Sequence, residues 1–347
     1  MTALGRPLVM RLLQMLLVIW GSITLVFFMS RVLPADPAIV LSGPDATTEM
    51  IEANRQRLGL DQPLTEQYTT YLKRLARGDF GRSAITGSEV TYDLGARLPA
   101  TLELVAVSLG LAVIASFGLA VLAARAPGGW IDRLASSAAL ANTAVPTFFA
   151  GVLLVWLFYT VFAVAPAPVG RLPLGMDPPP AVTHFYLIDS LLAGQFDVFW
   201  AAMRHIALPA IALSTSLFPS LLKVLRSNIR QALQSDSMLA LRFAPIGRLK
   251  RWSRYILPLA VVPTLTLLAA SFGSLVGGTV VVEHIFAWNG VGSYVLKGIN
   301  DGDYNVVQGV VLISAIAYAW AFFAVDVMSW WIDPRVLEGN DVRTKAQ

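Results

Sequence analysis

No cysteine occurs among the 347 residues, so disulfides, thiolate metal sites and cysteine nucleophiles are all excluded. Charge is scarce too: charged residues make up 14% of the chain, against about a quarter in a soluble domain. The three histidines, His184, His205 and His284, stand apart, and none belongs to a HExxH or comparable ligand spacing. All five lysines follow leucine or threonine, so the Gly-Lys-Ser/Thr element that cradles phosphates is missing. The chain cannot be its own P-loop ATPase. GxSxG is absent as well, which leaves a membrane enzyme without a motif in its favour.

What is abundant is apolar: 56% of positions. A bilayer core about 30 Å thick takes roughly 20 residues of helix, and six runs approach or exceed that length. They are 12–29, 102–124, 138–164, 206–225, 256–282 and 306–332. The first run, preceded by Arg6 and Arg11, is longer than a signal-peptide core and ends in LPADP, so it reads as a span. Basic residues set the orientation. With the N-terminus cytoplasmic, the inner segments 1–11, 125–137, 223–255 and 333–347 hold fifteen of the 26 Lys and Arg. The outer loops 165–205 and 283–305 hold only Arg171, Arg204 and Lys297. Both termini are therefore expected inside.

The outer loop 34–99 carries helical signals. Leu64, Tyr68, Tyr71, Leu72 and Leu75 fall on one helical face, opened by Pro63 and stopped by Gly78, and a shorter helix is expected to end at Gly59. That face packs on the outer ends of the spans or receives a partner. In the loop before residue 206, prolines rule out regular helix up to Pro180, and the mixed aromatic stretch after it suggests a helix in the outer interface.

Within the spans, Gly273, Gly277 and Gly278 form a small-residue pattern suited to close helix packing. Pro146 and Pro219 are expected to free mid-helix carbonyls, and Asn142, Pro146 and Ser271 are candidate path-lining positions. Asp326, Glu103 and Lys223 fall near span ends. No ionisable residue clearly sits at mid-membrane, which disfavours an ion-coupled secondary transporter.

The stretch SDSMLALRFAPIGRLKRWSRYILPLAVVP, 235–263, interrupts this pattern on the cytoplasmic side. Ser235 can cap a short helix with Asp236 in its first turn, and Met238, Leu239, Leu241 and Phe243 give it an apolar surface before Pro245. Such a knob suits a groove on a cytoplasmic partner. The basic residues that follow also suit anchoring at the inner lipid surface.

Here the chain resembles the permease subunits of binding-protein-dependent ABC importers, in particular the first permease of the dipeptide, oligopeptide and nickel group. The resemblance rests on LPADP (33–37), LGLDQPLTEQYTTYL (58–72), GDFGRS (78–83), RLPATLEL (97–104), VPTFFAGVLL (145–154), VVEHIFAWNGVG (281–292), DYNVVQGVVL (303–312) and DPR (333–335), in that order. It implies an all-α integral membrane protein with six transmembrane helices, the type I ABC importer permease fold and a small helical extracytoplasmic loop region. The expected divisions are 1–33, 34–99, 100–335 with a coupling loop at 228–258, and a tail at 336–347. The implied ATPase contact comprises Asp236, Met238, Leu239, Ala240, Leu241, Arg242, Phe243, Pro245 and Gly247. In the family's coupling motif, Leu239 stands where a glutamate is usual and Pro245 where a glycine is. Ala240, Leu257 and Pro258 match.

The implied partners are a second homologous permease, two ATPase subunits, an extracytoplasmic solute-binding protein docking on outer loops that include 288–304, and membrane lipid, with no nucleic acid. ATP and Mg would sit on the ATPases, no cofactor or metal on this chain, and no catalytic residue is expected. The implied location is the bacterial inner membrane. Peptides are the leading cargo, with nickel chelates, opines or oligosaccharides as alternatives. The lack of His or Met clusters favours an organic solute.

Overall fold

A computed structural model describes residues 5–32, 37–43, 45–235, 238 and 247–332. The described residues form helices and no strand, apart from one isolated bridge between Arg82 and Glu89. The first span is α1 (Gly5–Val32), and its Leu12, Leu13, Leu16, Leu17, Trp20 and Leu25 lie exposed. An exposed surface that is apolar on every turn is suited to hydrocarbon.

Three short helices then cap one end of the molecule: α2 (Pro37–Ser42), α3 (Thr48–Arg57) and α4 (Leu64–Ala76). Their limits follow local rules. Thr47 accepts the Met50 N–H at 3.3 Å to start α3, Pro63 precedes α4, and Gly59 and Gly78 end the two helices at φ +65° and +75°, where a side chain would be strained. The apolar face of α4 packs on the chain's own first span. Phe27, 1% exposed, has Tyr71 stacked 5.4 Å away and Tyr68 edge-on at 5.2 Å. Thr24 shares a 2.6 Å hydrogen bond with Tyr68, and Arg31 donates to Gln67 at 2.8 Å.

The central post is α5 (Val90–Arg125), whose 36 residues rise about 54 Å, well beyond a hydrocarbon core. Its first turns stand in the cap, so the expected boundary at 99–100 falls within one helix that carries Pro99 inside it. After it come α6 (Trp130–Thr143) and α7 (Thr147–Leu154), the latter continued by a wider turn over Val155–Val161. The sequence led us to expect one continuous span over 138–164. Instead α6 and the α7 segment meet at 101°. Pro146 is the residue immediately before α7, at ψ 143°, so it frees no mid-helix carbonyl; it starts a new helix.

The next pair corrects the sequence reading in the same way. The fourth span, expected at 206–225, divides into α9 (Phe196–Ser214), preceded by the short α8 (Tyr186–Leu192), and α10 (Phe218–Gln234). Pro219 lies in the first turn of α10, where a missing N–H costs nothing. After α11 (Arg248–Arg251) and a wide turn over Trp252–Ile256, α12 (Leu257–Ile285) crosses back. Then α13 (Val291–Asn300) lies at the cap end and α14 (Tyr304–Ile332) forms the last span. Among the described residues, five helices are long and apolar enough to cross a membrane, and six if the bent pair counts as one span.

Three buried clusters stack along α5. At the cap end Val90 and Leu94 meet Val291, Tyr294 and Val306. In the middle Leu104, Ile206, Leu213, Leu275 and Trp288 pack together, and at the far end Ala120, Ala123, Leu222, Leu225, Ile229 and Ile256. The glycines of α12 divide. A Cβ on Gly273 would stand 2.8 Å from the Tyr318 ring, and one on Gly278 would stand 3.1 Å from Leu213 Cδ1. Gly277 is exposed, and a Cβ there would meet nothing within 4 Å among the described residues. Four residues advance a helix by about 400°, so Gly277 sits about 40° round from the contact that Gly273 makes.

Gly273→Leu therefore forces α12 and α14 apart and lowers the thermal midpoint of the detergent-solubilised protein, at a cost of about 1–3 kcal/mol. Gly277→Ala, with open space for its methyl group inside a helix, raises the midpoint slightly, by about 0.5–1 kcal/mol of helix preference.

Candidate functional site

The cap end is built on buried carboxylates that accept hydrogen bonds from distant parts of the chain or from the loops beside them. Glu283, at the end of α12, is fully buried. Its Oε1 accepts the Thr101 hydroxyl at 2.6 Å and its Oε2 accepts the Ser293 N–H at 2.8 Å. Thr101 Oγ1 in turn accepts the Val291 N–H at 2.8 Å, and the Trp288 indole donates to the Ala100 carbonyl at 3.0 Å. The turn from α12 to α13 is thus clamped onto α5. Gly292 makes the clamp sterically possible, because a Cβ there would lie 2.8 Å from the Val280 backbone.

Asp303 holds the GDFGRS loop, accepting the Ser83 hydroxyl at 2.8 Å and the Ala84 N–H at 2.6 Å. Asp93 accepts Thr86 Oγ1 at 2.6 Å and the Tyr294 hydroxyl at 2.8 Å; burial and this bond push the Tyr294 hydroxyl up to about 12 and keep it a donor. Glu103 takes the Arg171 guanidinium at 2.7 Å and the Leu187 N–H at 2.8 Å, tying the proline-rich loop to α5. Asp189 closes that loop. Burial pushes its carboxyl up, but the Thr183 hydroxyl and the N–H groups of Val182, Thr183 and His184 outweigh burial and hold it below the usual carboxylate range.

At the opposite end, α6 and α10 form the walls of an open cleft of about 1330 Å³. Asp132 on α6 is buried. It accepts the Gly128 N–H at 2.8 Å, pairs with Arg226 Nε at 2.6 Å and also receives Arg230. The bent span is therefore tied to the helix that leads into the stretch after Gln234. The outward face of α12 is mixed, with Thr266 and Ser274 among exposed Leu259, Pro263, Ala270 and Val281, but that of α10 is polar: Ser220, Lys223, Ser227 and Gln231. Polar groups facing hydrocarbon are costly, so faces of this kind belong against water or other protein.

Residues 116–338 match the family described as "Binding-protein-dependent transport system inner membrane component", and 4–105 match its N-terminal part. The chain belongs to this permease family. Its architecture is the type I ABC importer permease fold. The permease is 36% identical to the probable D,D-dipeptide transport system permease DdpB of Escherichia coli K12, covering 94% of this chain and 96% of that one. It is 31% identical to the dipeptide transport system permease DppB of Alkalihalophilus pseudofirmus, over 94% and 97% of the two chains. With the di/tripeptide permease DppB of Pseudomonas aeruginosa it shares 34%, over 91% and 94%.

Of the expected ATPase contact, only Met238 and Gly247 lie within the described residues; Asp236, Leu239, Ala240, Leu241, Arg242, Phe243 and Pro245 lie outside them. Met238 is 3% exposed and sits in the cluster with Leu222, Ile229 and Ile256, so it roots the segment instead of presenting a surface. Gly247 is exposed. Asn142 and Ser271 are half-buried and Pro146 is exposed; no hydrogen bond joins them among the described residues, and the cleft is lined by Ser136, Thr143 and the α10 residues instead. In the segment 288–304, Trp288 and Tyr304 are buried, while Asn289, Lys297, Ile299 and Asp301 are exposed. The sequence reading missed Glu283, Asp303, Asp93 and Asp132. Glu283 and Asp303 carried one sequence signal, their position within stretches shared with the permease group, and Asp93 and Asp132 carried none.

Glu283→Ala strands the Thr101 hydroxyl and the Ser293 N–H, at about 1–3 kcal/mol for each, and Glu283→Gln, which keeps one acceptor, loses less. Melting of the purified permease should rank wild type above Gln above Ala. Asp189 has its folded carboxyl below its unfolded value, so its stabilisation is present above the ordinary carboxylate range and lost as pH falls through the folded value. Hydrogen exchange at 182–184 should stay protected down to about pH 4 and open below it. Asp189→Asn removes that pH dependence.

Proposed function

We propose that this permease is the membrane-spanning half of an ATP-driven importer of short peptides. It pairs with a second permease, two cytoplasmic ATPases and an extracytoplasmic binding protein. The carrying observation is near full-length similarity to permeases named for D,D-dipeptide, dipeptide and di/tripeptide transport. The fold agrees with a need for partners: α10 turns a polar face outward, which supports a water-filled path completed by another subunit.

The distribution of basic residues supports cytoplasmic termini, which puts α2–α4 and the carboxylate clamps outside and the α6–α10 cleft inside. The binding protein then meets the cap, with Asn289, Lys297 and Ile299 among the outward side chains. ATP and Mg act on the ATPases. Their movement reaches the spans through the segment after Gln234, rooted by Met238, and through the Asp132 pairs to the bent α6–α7 span. Thr143, Pro146 and Ser274 lie on exposed turns suited to the path.

Affinity purification of the tagged permease from its native membrane should bring down a P-loop ATPase. Reconstituted with the binding protein, the complex should move dipeptides on ATP. Leu239→Asp and Leu241→Asp should each keep insertion but uncouple uptake from hydrolysis by ten-fold or more, on the order of 1.4 kcal/mol of lost coupling. Uptake of nickel chelates, opines or oligosaccharides in place of peptides would redirect the cargo. Transport by the isolated chain on an ion gradient would overturn the importer reading.

A further inference from the structure

Lys223 stands on the cleft-facing stripe of α10, one turn past Pro219, between Ser220 and Ser227. Its side chain is exposed, and no carboxylate lies within 4.0 Å of it among the described residues. The residues lining the cleft include Lys223, Arg226 and Arg230 and no acid. The one carboxylate behind them, Asp132, is buried and shared by Arg226 and Arg230, so the wall keeps a surplus of positive charge. Gln231, Gln234 and Ser227 supply neutral hydrogen-bonding groups along the same stripe.

We propose that Lys223 is a transit site for the substrate's carboxylate. The proposal rests on the importer reading above and specifies its cargo: solutes with a free carboxylate, passing the inner half of the path carboxylate end first. A short peptide is a zwitterion, and an ammonium on the wall attracts one end and repels the other. In a wide, wet cleft the attraction is that of an exposed ion pair, strong enough to bias orientation and weak enough to release. A cation at this depth could also serve the phosphates of inner-leaflet lipid. The polar stripe and the facing wall of α6 favour the path, because a lipid-facing helix would set Lys223 among apolar neighbours and not among Ser220, Ser227 and Gln231.

The test uses the complete transporter in proteoliposomes with radiolabelled dialanine. Lys223→Arg, Lys223→Gln and Lys223→Glu are compared in vesicles of phosphatidylcholine alone and of phosphatidylethanolamine with phosphatidylglycerol. Arg should stay within about two-fold of wild type. Gln should fall about three- to ten-fold and Glu further, equally in both lipids and with unchanged recovery of the ATPases. Raised salt should shrink the gap between Arg and Gln. Uptake by Gln equal to wild type overturns the proposal, and a loss confined to the anionic vesicles assigns Lys223 to lipid instead. A wild-type complex that hydrolyses ATP yet moves no dialanine removes the peptide reading, and this proposal with it.

Discussion

A carboxylate taken out of water must be given hydrogen bonds where it lies, and the cap end is arranged around that requirement. Glu283 receives a hydroxyl from α5 and an N–H from α13, and the same hydroxyl accepts a second N–H from α13. Three helices are locked by two side chains. Asp303, Asp93, Glu103 and Asp189 repeat the device on the loops around them, supplying acceptors to the N–H and hydroxyl groups beside them.

The other end is built differently. Its acid, Asp132, holds two arginines on one neighbouring helix, and those arginines also border a large open cleft. On the way to it the backbone is interrupted by the 101° bend and by the break between α9 and α10. One end is closed by charge neutralised in place. The other keeps charge facing a cavity, joined to the stretch that leads away from α10.

Local signals were legible in the sequence. The face of α4 and its stops at Gly59 and Gly78 depend on neighbours within a turn or two, and all appear where expected. The apolar runs located most of the spans, because length and hydrophobicity decide insertion. The bend at Pro146 was misread, since a proline can kink a helix or start one and only the packing of α7 against α9 and α12 decides which. The carboxylate clamps were illegible for another reason. Glu283 and Thr101 are separated by 182 positions and Ser83 and Asp303 by 220, and no periodicity links residues so far apart. The same limit explains Gly277, whose face is set by where α14 crosses α12.

The first span, packed on the last one, has a consequence for how the chain is made. Its contacts are to α4 and to α14: Arg11 pairs with Asp326 at 2.9 Å, and Gln308 donates to Ser30 at 2.8 Å. Helices enter a bilayer in the order of synthesis, so the first waits beside its neighbours until the last has been made. The Arg11–Asp326 pair is then a late step of assembly, joining the two ends of the membrane domain.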